Sequence, residues 1–258
     1  MLDSVLALAG MVFKENFRKR VIHVFLGVAV LILIWAATFN VFTLGVQVKF
    51  LKDISLTAIR IIGVLITLTA TAGQLSNEYQ HRTIYPLLAK PVSRFQILIG
   101  KFIGAIYVIY LNIFILGAIF LGLLYYRQHF LDVMTAEAIY LIALECGVLA
   151  AMCLFFSTFF STAANVCASF LLYVIGQLKF GYGNYIAHRF ETPGVGWGVS
   201  LIQNPLLPPN MEYFNIGDAI VSGAPVPVSF MVNATLYGVG LIVFYLILAN
   251  LVFLRRDI

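Results

Sequence analysis

Six long apolar segments dominate this sequence and limit what it can fold into. A helix that crosses a bilayer needs about 20 mostly apolar residues, and these segments are continuous rather than alternating in polarity, which indicates helices. The chain of 258 residues is 62% hydrophobic and 10% charged, whereas a soluble domain is about 25% charged. We therefore predict an all-α integral membrane protein that forms a single domain over residues 1–258. Its six predicted transmembrane helices cover residues 21–39, 58–76, 102–124, 136–157, 162–178 and 231–253.

The distribution of Lys and Arg predicts how the chain is oriented. With the amino terminus in the cytoplasm, ten of the 16 basic residues fall in cytoplasmic segments and the other six in external segments. Because basic residues concentrate on the cytoplasmic side, we expect both termini in the cytoplasm. The basic residues lie beside apolar spans, which predicts contact with membrane lipid. No run of them is long enough to predict a nucleic-acid partner.

Two segments outside the spans have patterns of their own. Residues 2–17 place Val5, Ala9 and Val12 at helical spacing, which predicts an amphipathic helix in the membrane interface, unless the segment simply extends the first span. Residues 179–230 are rich in Gly and Pro, yet they contain several large apolar side chains. We expect this long external segment to form short helices or re-entrant turns on the outer rim of the bundle.

The segment from 77 to 101 is polar, contains two prolines and lies between two apolar spans. Pro91 favours an extended conformation for the residue before it. Ser93 and Gln96 have the spacing of a capping box, so we expect the third spanning helix to begin at Arg94. The apolar stretch at 83–89 would lie on the membrane or fit a groove in a partner protein. Its spacing alone is equally typical of an ordinary interfacial loop.

The same segment resembles a known family. Glu78, the run RTIYPLLAKPVSRFQILIGK, the later run LLPPNMEYFNIGDAI and the ending FLRRDI are similar to the ABC-2 type transporter permeases, in particular the branch of multi-copper-enzyme-maturation permeases. Arg82 stands where many members carry glycine. The resemblance implies that residues 77–101 form a coupling helix in a cleft of a separate cytoplasmic ATPase. The residues that it assigns to this contact are Glu78, Tyr79, Arg82, Thr83, Ile84, Tyr85, Leu87, Leu88, Pro91, Ser93 and Arg94.

The resemblance also implies partners and a location. Such permeases are driven by two copies of an ABC ATPase, which binds ATP and Mg²⁺, and they pair with a second permease subunit that is either a copy or a paralogue. They lie in the cytoplasmic membrane of bacteria or archaea and are usually exporters. The sequence itself contains no GxxxxGK[ST] motif, the phosphate-binding loop of these ATPases. We expect no catalytic residue and no cofactor on this chain.

Ionisable side chains inside a membrane are costly and need an explanation. Glu145 lies within the fourth predicted span. We interpret it either as part of a substrate path or proton-sensitive gate, or as a hydrogen-bonded link between helices. Glu137 and Arg60 lie near the ends of their predicted spans, and we predict that they pair. As an ion or proton site, Glu145 would instead favour a stand-alone secondary transporter or channel.

Amides and small residues inside the spans predict helix packing. We interpret Asn112 and Asn165 as polar positions of a translocation path or as hydrogen-bond partners between helices. Gly100 and Gly104 are one turn apart and would allow another helix to approach closely. The three cysteines form no CxxC pair, and we expect no metal site.

Overall fold

A computed structural model describes residues 2–38, 44–76, 93–129, 132–189, 209–222 and 225–255. Within these ranges the chain forms α-helices and one 3₁₀ turn. Five helices are long and apolar enough to cross a membrane, and a sixth contains a shorter apolar stretch at Thr162–Leu178. The elements are α1 (Leu2–Phe17), α2 (Arg20–Thr38), α3 (Leu44–Thr71), α4 (Arg94–Gln128), α5 (Val133–Ser157), α6 (Thr162–Arg189), the 3₁₀ turn Glu212–Phe214, α7 (Gly217–Ser222) and α8 (Val228–Arg255).

Most predicted spans coincide with observed helices, and α3 is the exception. It begins at Leu44, well before the start predicted at residue 58. Lys52 and Asp53 lower the hydropathy of its first half, so a search for apolar runs misses that half. The predicted fifth span matches the apolar stretch Thr162–Leu178, and the helix that contains it, α6, continues to Arg189.

The helix bundle has two ends, which differ in the segments that connect its helices. α3 ends and α4 begins at the same end, where residues 77–92 join them, and we call this the connecting end. α1 also lies there, because it packs against the first turns of α4. The opposite end is called the far end. The segment 209–222, with the 3₁₀ turn and α7, packs against α3, α5 and α6. Short helices are therefore present in this part of 179–230, as expected, but they pack among three long helices rather than on the outer rim.

α5 is the central helix of the bundle. It packs against α3, α4, α6 and α8, and 78% of its most apolar stretch is buried, compared with 22% for α2 and 28% for α8. The peripheral helices instead expose rows of Val, Leu and Ile, including Val24 and Leu31 on α2 and Leu236 and Val243 on α8. A water-soluble bundle would not expose such rows, whereas lipid is a suitable solvent for them.

α1 is a separate helix that packs closely on α4. The chain turns at Arg18 and Lys19 before α2 begins, so α1 does not extend the first span. A side-chain Cβ at Gly100 would lie 2.8 Å from the Cβ of Leu8, and one at Gly104 would lie 2.6 Å from the carbonyl oxygen of Ala9. The prediction that these two glycines allow close helix approach is therefore confirmed.

An ion pair joins α3 to the start of α5 at the far end. The Lys52 ammonium donates to the Asp132 carboxylate, which also accepts a hydrogen bond of 2.9 Å from the Thr135 hydroxyl. Burial raises the pKa of Asp132, but the hydrogen bonds and the charge of Lys52 outweigh burial and lower that pKa below its ordinary value. The negative charge also lies at the amino-terminal end of α5, where the helix dipole favours it.

We predict that Gly104→Val separates α1 from α4. The added side chain has no space beside Ala9, and overpacking of this kind costs about 1–3 kcal/mol. Thermal unfolding in detergent should show a lower Tm, and limited proteolysis should release α1 earlier than in the wild type. Gly122→Val on the same helix is the matched control, because nothing lies within 4 Å of the position of its Cβ. Equal effects of the two changes would contradict the packing described.

We predict that Asp132→Asn lowers the Tm at pH 7 by the equivalent of about 1 kcal/mol. A carboxyl with a lowered folded-state pKa stabilises the fold above its unfolded value of about 3.9, and this stabilisation disappears as the pH falls through the folded value. The difference between wild type and variant should therefore shrink as the pH falls below about 3.9. Asp53→Asn, at an exposed position of α3, is the control. A difference independent of pH would argue against the ion pair.

Candidate functional site

Side chains from neighbouring helices bind the end of α3 just before residue 77. The last carbonyl groups of a helix lack partners within that helix, and in a membrane they need partners from elsewhere in the protein. The Lys101 ammonium on α4 donates to the carbonyl oxygen of Gln74 at 2.6 Å, and this lysine is only 2% exposed. Ser76 and Thr162 share a hydrogen bond of 2.8 Å between their hydroxyls. The chain leading to residue 77 is thus held by α4 and α6.

Asn165 connects three helices at this end of the bundle. Its amide nitrogen donates to the carbonyl oxygen of Ala72 at 2.9 Å and to that of Cys153 on α5 at 3.0 Å. Its amide oxygen accepts from the Ser169 hydroxyl at 3.0 Å. The side chain is fully buried. Asn112 differs, because its amide nitrogen donates to Val108 of its own helix.

The start of α4, just after residue 92, is also held. Ser93 and Gln96 form the predicted capping box, with the Ser93 amide donating to Gln96 Oε1 at 3.0 Å and the Gln96 amide donating to Ser93 Oγ at 3.3 Å. The Arg94 guanidinium donates to the carbonyl oxygen of Phe253 at 2.8 Å and lies over the ring of the same residue, 5.7 Å from its centroid. This contact joins α4 to the end of α8.

Residues 77–92 themselves lie outside the described residues. The expected contact residues there are Glu78, Tyr79, Arg82, Thr83, Ile84, Tyr85, Leu87, Leu88 and Pro91. Of the expected contact set, the described part of the chain contains Ser93 and Arg94. Both belong to the polar contacts that fix the start of α4.

A second polar cluster surrounds Glu145 at the midpoint of α5, 12 residues from either end of that helix. The carboxylate is fully buried. It accepts a hydrogen bond of 2.9 Å from the Tyr173 hydroxyl and another from the side-chain amide of Gln177, both on α6. Arg60 Nε on α3 lies 3.4 Å from Glu145 Oε2. A cation and two hydrogen-bond donors therefore surround the buried carboxyl group of Glu145.

Arg60 also binds the segment 209–222. Its Nη2 donates to Asn215 Oδ1 at 2.7 Å. The same segment is anchored by the Met211 amide, which donates to the carbonyl oxygen of Gly176 at 3.2 Å, and by Phe214, which is fully buried. Arg60 lies eight residues after Lys52 on α3, or about 12 Å further from the far end at 1.5 Å per residue. The segment therefore enters the bundle rather than resting on its rim.

The partner of Arg60 differs from the prediction. We predicted an ion pair with Glu137, whereas the structure places the guanidinium on Glu145. Glu137 lies eight residues earlier on α5, about two turns nearer the far end, and it is partly exposed. Because α3 begins earlier than predicted, Arg60 lies deeper in the bundle than its predicted position at the end of a span. The fully buried carboxylate is also the one that most needs a cation.

Several residues of these clusters carried no clear signal in the sequence. Asn215 follows Glu212, Tyr213 and Phe214 in a Gly- and Pro-rich segment, and nothing in that pattern indicates contact with a spanning helix. The sequence predicts that Lys101 faces lipid phosphates or the acidic rim of a partner, or serves as a positive-inside anchor, whereas the structure places it on the carbonyl oxygen of Gln74. A lysine inside the first turns of an apolar helix is a usable signal, because it must find a partner there. Among the described residues, no group of three or more His, Cys, Asp or Glu side chains is arranged to hold a metal ion.

We predict that substitutions of Arg60 and Glu145 have strongly non-additive effects on the free energy of unfolding. Arg60→Met leaves the buried carboxylate without its cation, and breaking a buried pair in this way costs about 3–5 kcal/mol. The double change Arg60→Met with Glu145→Gln removes both charges and should recover part of this loss. The Tm values of wild type, single and double variants in detergent give the coupling energy. Strictly additive changes would show that the two side chains do not interact.

Comparison with known proteins assigns the chain to a family. A search of curated proteins gives no match. The model of a family described as "ABC-2 family transporter protein" matches residues 6–258, which is nearly the whole chain and includes both polar clusters. The chain therefore belongs to the ABC-2 family of transporter proteins, as a multi-pass membrane permease.

Proposed function

We propose that this chain is the permease subunit of an ABC exporter and that a separate cytoplasmic ATPase drives it by binding residues 77–92. Two copies of the ATPase, which hold ATP and Mg²⁺, would act on two permease subunits, either two copies of this chain or this chain and a paralogue. The observation that carries the proposal is that the structure holds the chain on both sides of residues 77–92. Lys101, Asn165 and Ser93 provide the main contacts.

These contacts determine which helices would be displaced by a force applied at residues 77–92. On one side it reaches Gln74 and, through Lys101, the body of α4. Because Asn165 on α6 binds the carbonyl oxygens of Ala72 and Cys153, the force would also reach α5 and α6. On the other side it reaches Arg94 and, through the carbonyl oxygen of Phe253, the end of α8. Rigid elements with fixed contacts transmit rigid-body movement, whereas a loosely attached loop would absorb it.

We further propose that the connecting end faces the cytoplasm. α1 lies at this end, and α8 ends there beside Arg94, so both termini would be cytoplasmic. The excess of basic residues in the segments at this end supports the orientation. The chain would then lie in the cytoplasmic membrane of a bacterium or archaeon, with the segment 209–222 on the external side.

A second candidate function is favoured by the cluster around Glu145. A buried carboxylate that contacts Arg60, Tyr173 and Gln177 has the composition of a proton or ion site in a stand-alone secondary transporter. In the exporter, the same cluster would line the substrate path or hold α3, α5 and α6 together. The two functions differ in their energy source, which is ATP in one and an ion gradient in the other.

The test is to purify the tagged chain from its own membranes in mild detergent and to identify proteins that carry the GxxxxGK[ST] motif. We predict that an ATPase copurifies and that Leu87→Asp removes it. A charge placed in an apolar contact should weaken binding by about 2 kcal/mol, or roughly thirtyfold. Leu87→Met is the matched control, because it keeps the surface apolar. Copurification unaffected by Leu87→Asp would contradict the proposed contact.

The exporter and the secondary transporter can be distinguished in the same preparation by the energy source that moves the far end. A cysteine introduced as Val133→Cys in a Cys167→Ser background, at an exposed far-end position, reports far-end movement through its rate of maleimide labelling in vesicles, because the exposed native thiol is removed. The exporter predicts that ATP with vanadate changes this rate and that a pH gradient does not. The reverse result would support the secondary transporter and reject the exporter.

A further inference from the structure

A groove runs between α4 and α5 in the half of the bundle nearer the far end. Its volume is about 550 Å³, and it is lined by aliphatic and aromatic carbon together with small residues on both helices, among them Gly117, Ala118, Ala136 and Ala143. The rim is open at the surface of the bundle, where Phe114 is 72% and Tyr140 45% exposed. No charged residue is among the described residues that line it.

The register of the two antiparallel helices gives the depth of the groove. Gly117 is level with Ile139, whose Cγ2 would lie 2.9 Å from a Cβ at this glycine, and Tyr110 is level with Gly147, where the corresponding distance to the tyrosine hydroxyl is also 2.9 Å. On α4 the groove extends from Tyr110 to Leu121, or about 16 Å at 1.5 Å per residue. This is about half of the 30 Å hydrocarbon thickness of a bilayer, which is the depth of one leaflet.

Tyr110 closes the inner end of the groove. Its side chain crosses from α4 to α5, and its hydroxyl occupies the space that any side chain at residue 147 would need. Tyr110 is 16 residues from the start of α4 and 18 from the end, close to the middle of the helix. The groove is therefore closed near the centre of the bundle and open toward the lipid and the far end.

We propose that this groove binds one acyl chain of a phospholipid in the leaflet at the far end. The volume lies in the range of small-molecule pockets, about 300–1,000 Å³. The groove is about 16 Å long, which is the depth of one leaflet. A single hydrocarbon chain matches this length, the opening toward lipid and the uncharged lining.

The surroundings of the groove also point to lipid. Its rim continues into the exposed apolar surface of α4 and α8, where Phe114, Leu236 and Val239 face outward. That surface contacts the bilayer in a membrane permease, so lipid chains reach the groove without leaving their own leaflet. The site depends only on the membrane location of the chain and not on the proposed ATPase, so the failure of either proposal leaves the other intact.

The experiment uses the full chain in nanodiscs of phosphatidylcholine that contain a trace of phosphatidylcholine with a diazirine on one acyl chain. Irradiation followed by mass spectrometry locates the labelled residues. We expect labelling concentrated on Ala118 and Ala143 and saturable by increasing probe, in excess of labelling at exposed positions such as Ile103. Uniform labelling of all exposed positions without saturation would show ordinary surrounding lipid and would overturn the proposal.

Substitutions that fill the groove with a larger side chain test whether the acyl chain binds there. Ala143→Phe and, separately, Ala118→Phe at an exposed position should each reduce labelling of the remaining groove residues about tenfold, or about 1.4 kcal/mol. Ile115→Phe on the same helix, outside the groove lining, should leave labelling unchanged. If Ala143→Phe fails to fold, Ala118→Phe alone decides the question. Unchanged labelling in Ala118→Phe, or a bifunctional crosslinker that joins the groove to a second copy of the chain, would reject the acyl-chain site.

Discussion

Polar groups inside a bilayer must find their partners within the protein, because the surrounding hydrocarbon offers none. This constraint explains the positions of two sets of buried polar side chains. The carbonyl groups beyond Thr71 accept hydrogen bonds from Lys101 and Asn165. The carboxylate of Glu145 pairs with Arg60 and accepts hydrogen bonds from two donors on α6. Both sets of contacts fix the relative position of two or more helices. The interhelical contacts that lipid cannot replace are therefore the polar ones, while apolar side chains fill the space between them.

The features that the sequence predicts well are those that depend on residues close together in the chain. The capping box at Ser93 and the helix start at Arg94 depend on neighbouring residues, and the structure agrees with both. The close packing at Gly100 and Gly104 depends on a spacing within one helix, although the sequence did not indicate that the partner would be α1. The predicted start of α3 is too late because the charged residues of its first half were interpreted as external, whereas Lys52 has an ion-pair partner in Asp132.

The remaining features depend on contacts between distant parts of the chain. Asn215 lies 155 residues from Arg60, and neither its type nor its surroundings marks it as the partner of a buried cation. The same applies to Glu145, whose position within a span was evident although the choice between Glu137 and Glu145 as the partner of Arg60 was not. That choice depends on how deep α3 lies against α5, and helix depth follows from the packing of whole faces rather than from single residues.

The two polar clusters lie on one seam between α5 and α6, and this arrangement determines how the bundle can move. Asn165 donates to Cys153, and Tyr173 donates to Glu145. On each helix the two positions are eight residues apart, or about 12 Å. A sliding or rotation of α6 against α5 would break both contacts at once, so the two helices move together unless both clusters reorganise. Arg60 extends this unit to α3 and to the segment 209–222. A displacement received at the connecting end, as proposed for residues 77–92, would therefore move the segment 209–222 with the seam, because Asn215 and Glu145 contact the same guanidinium.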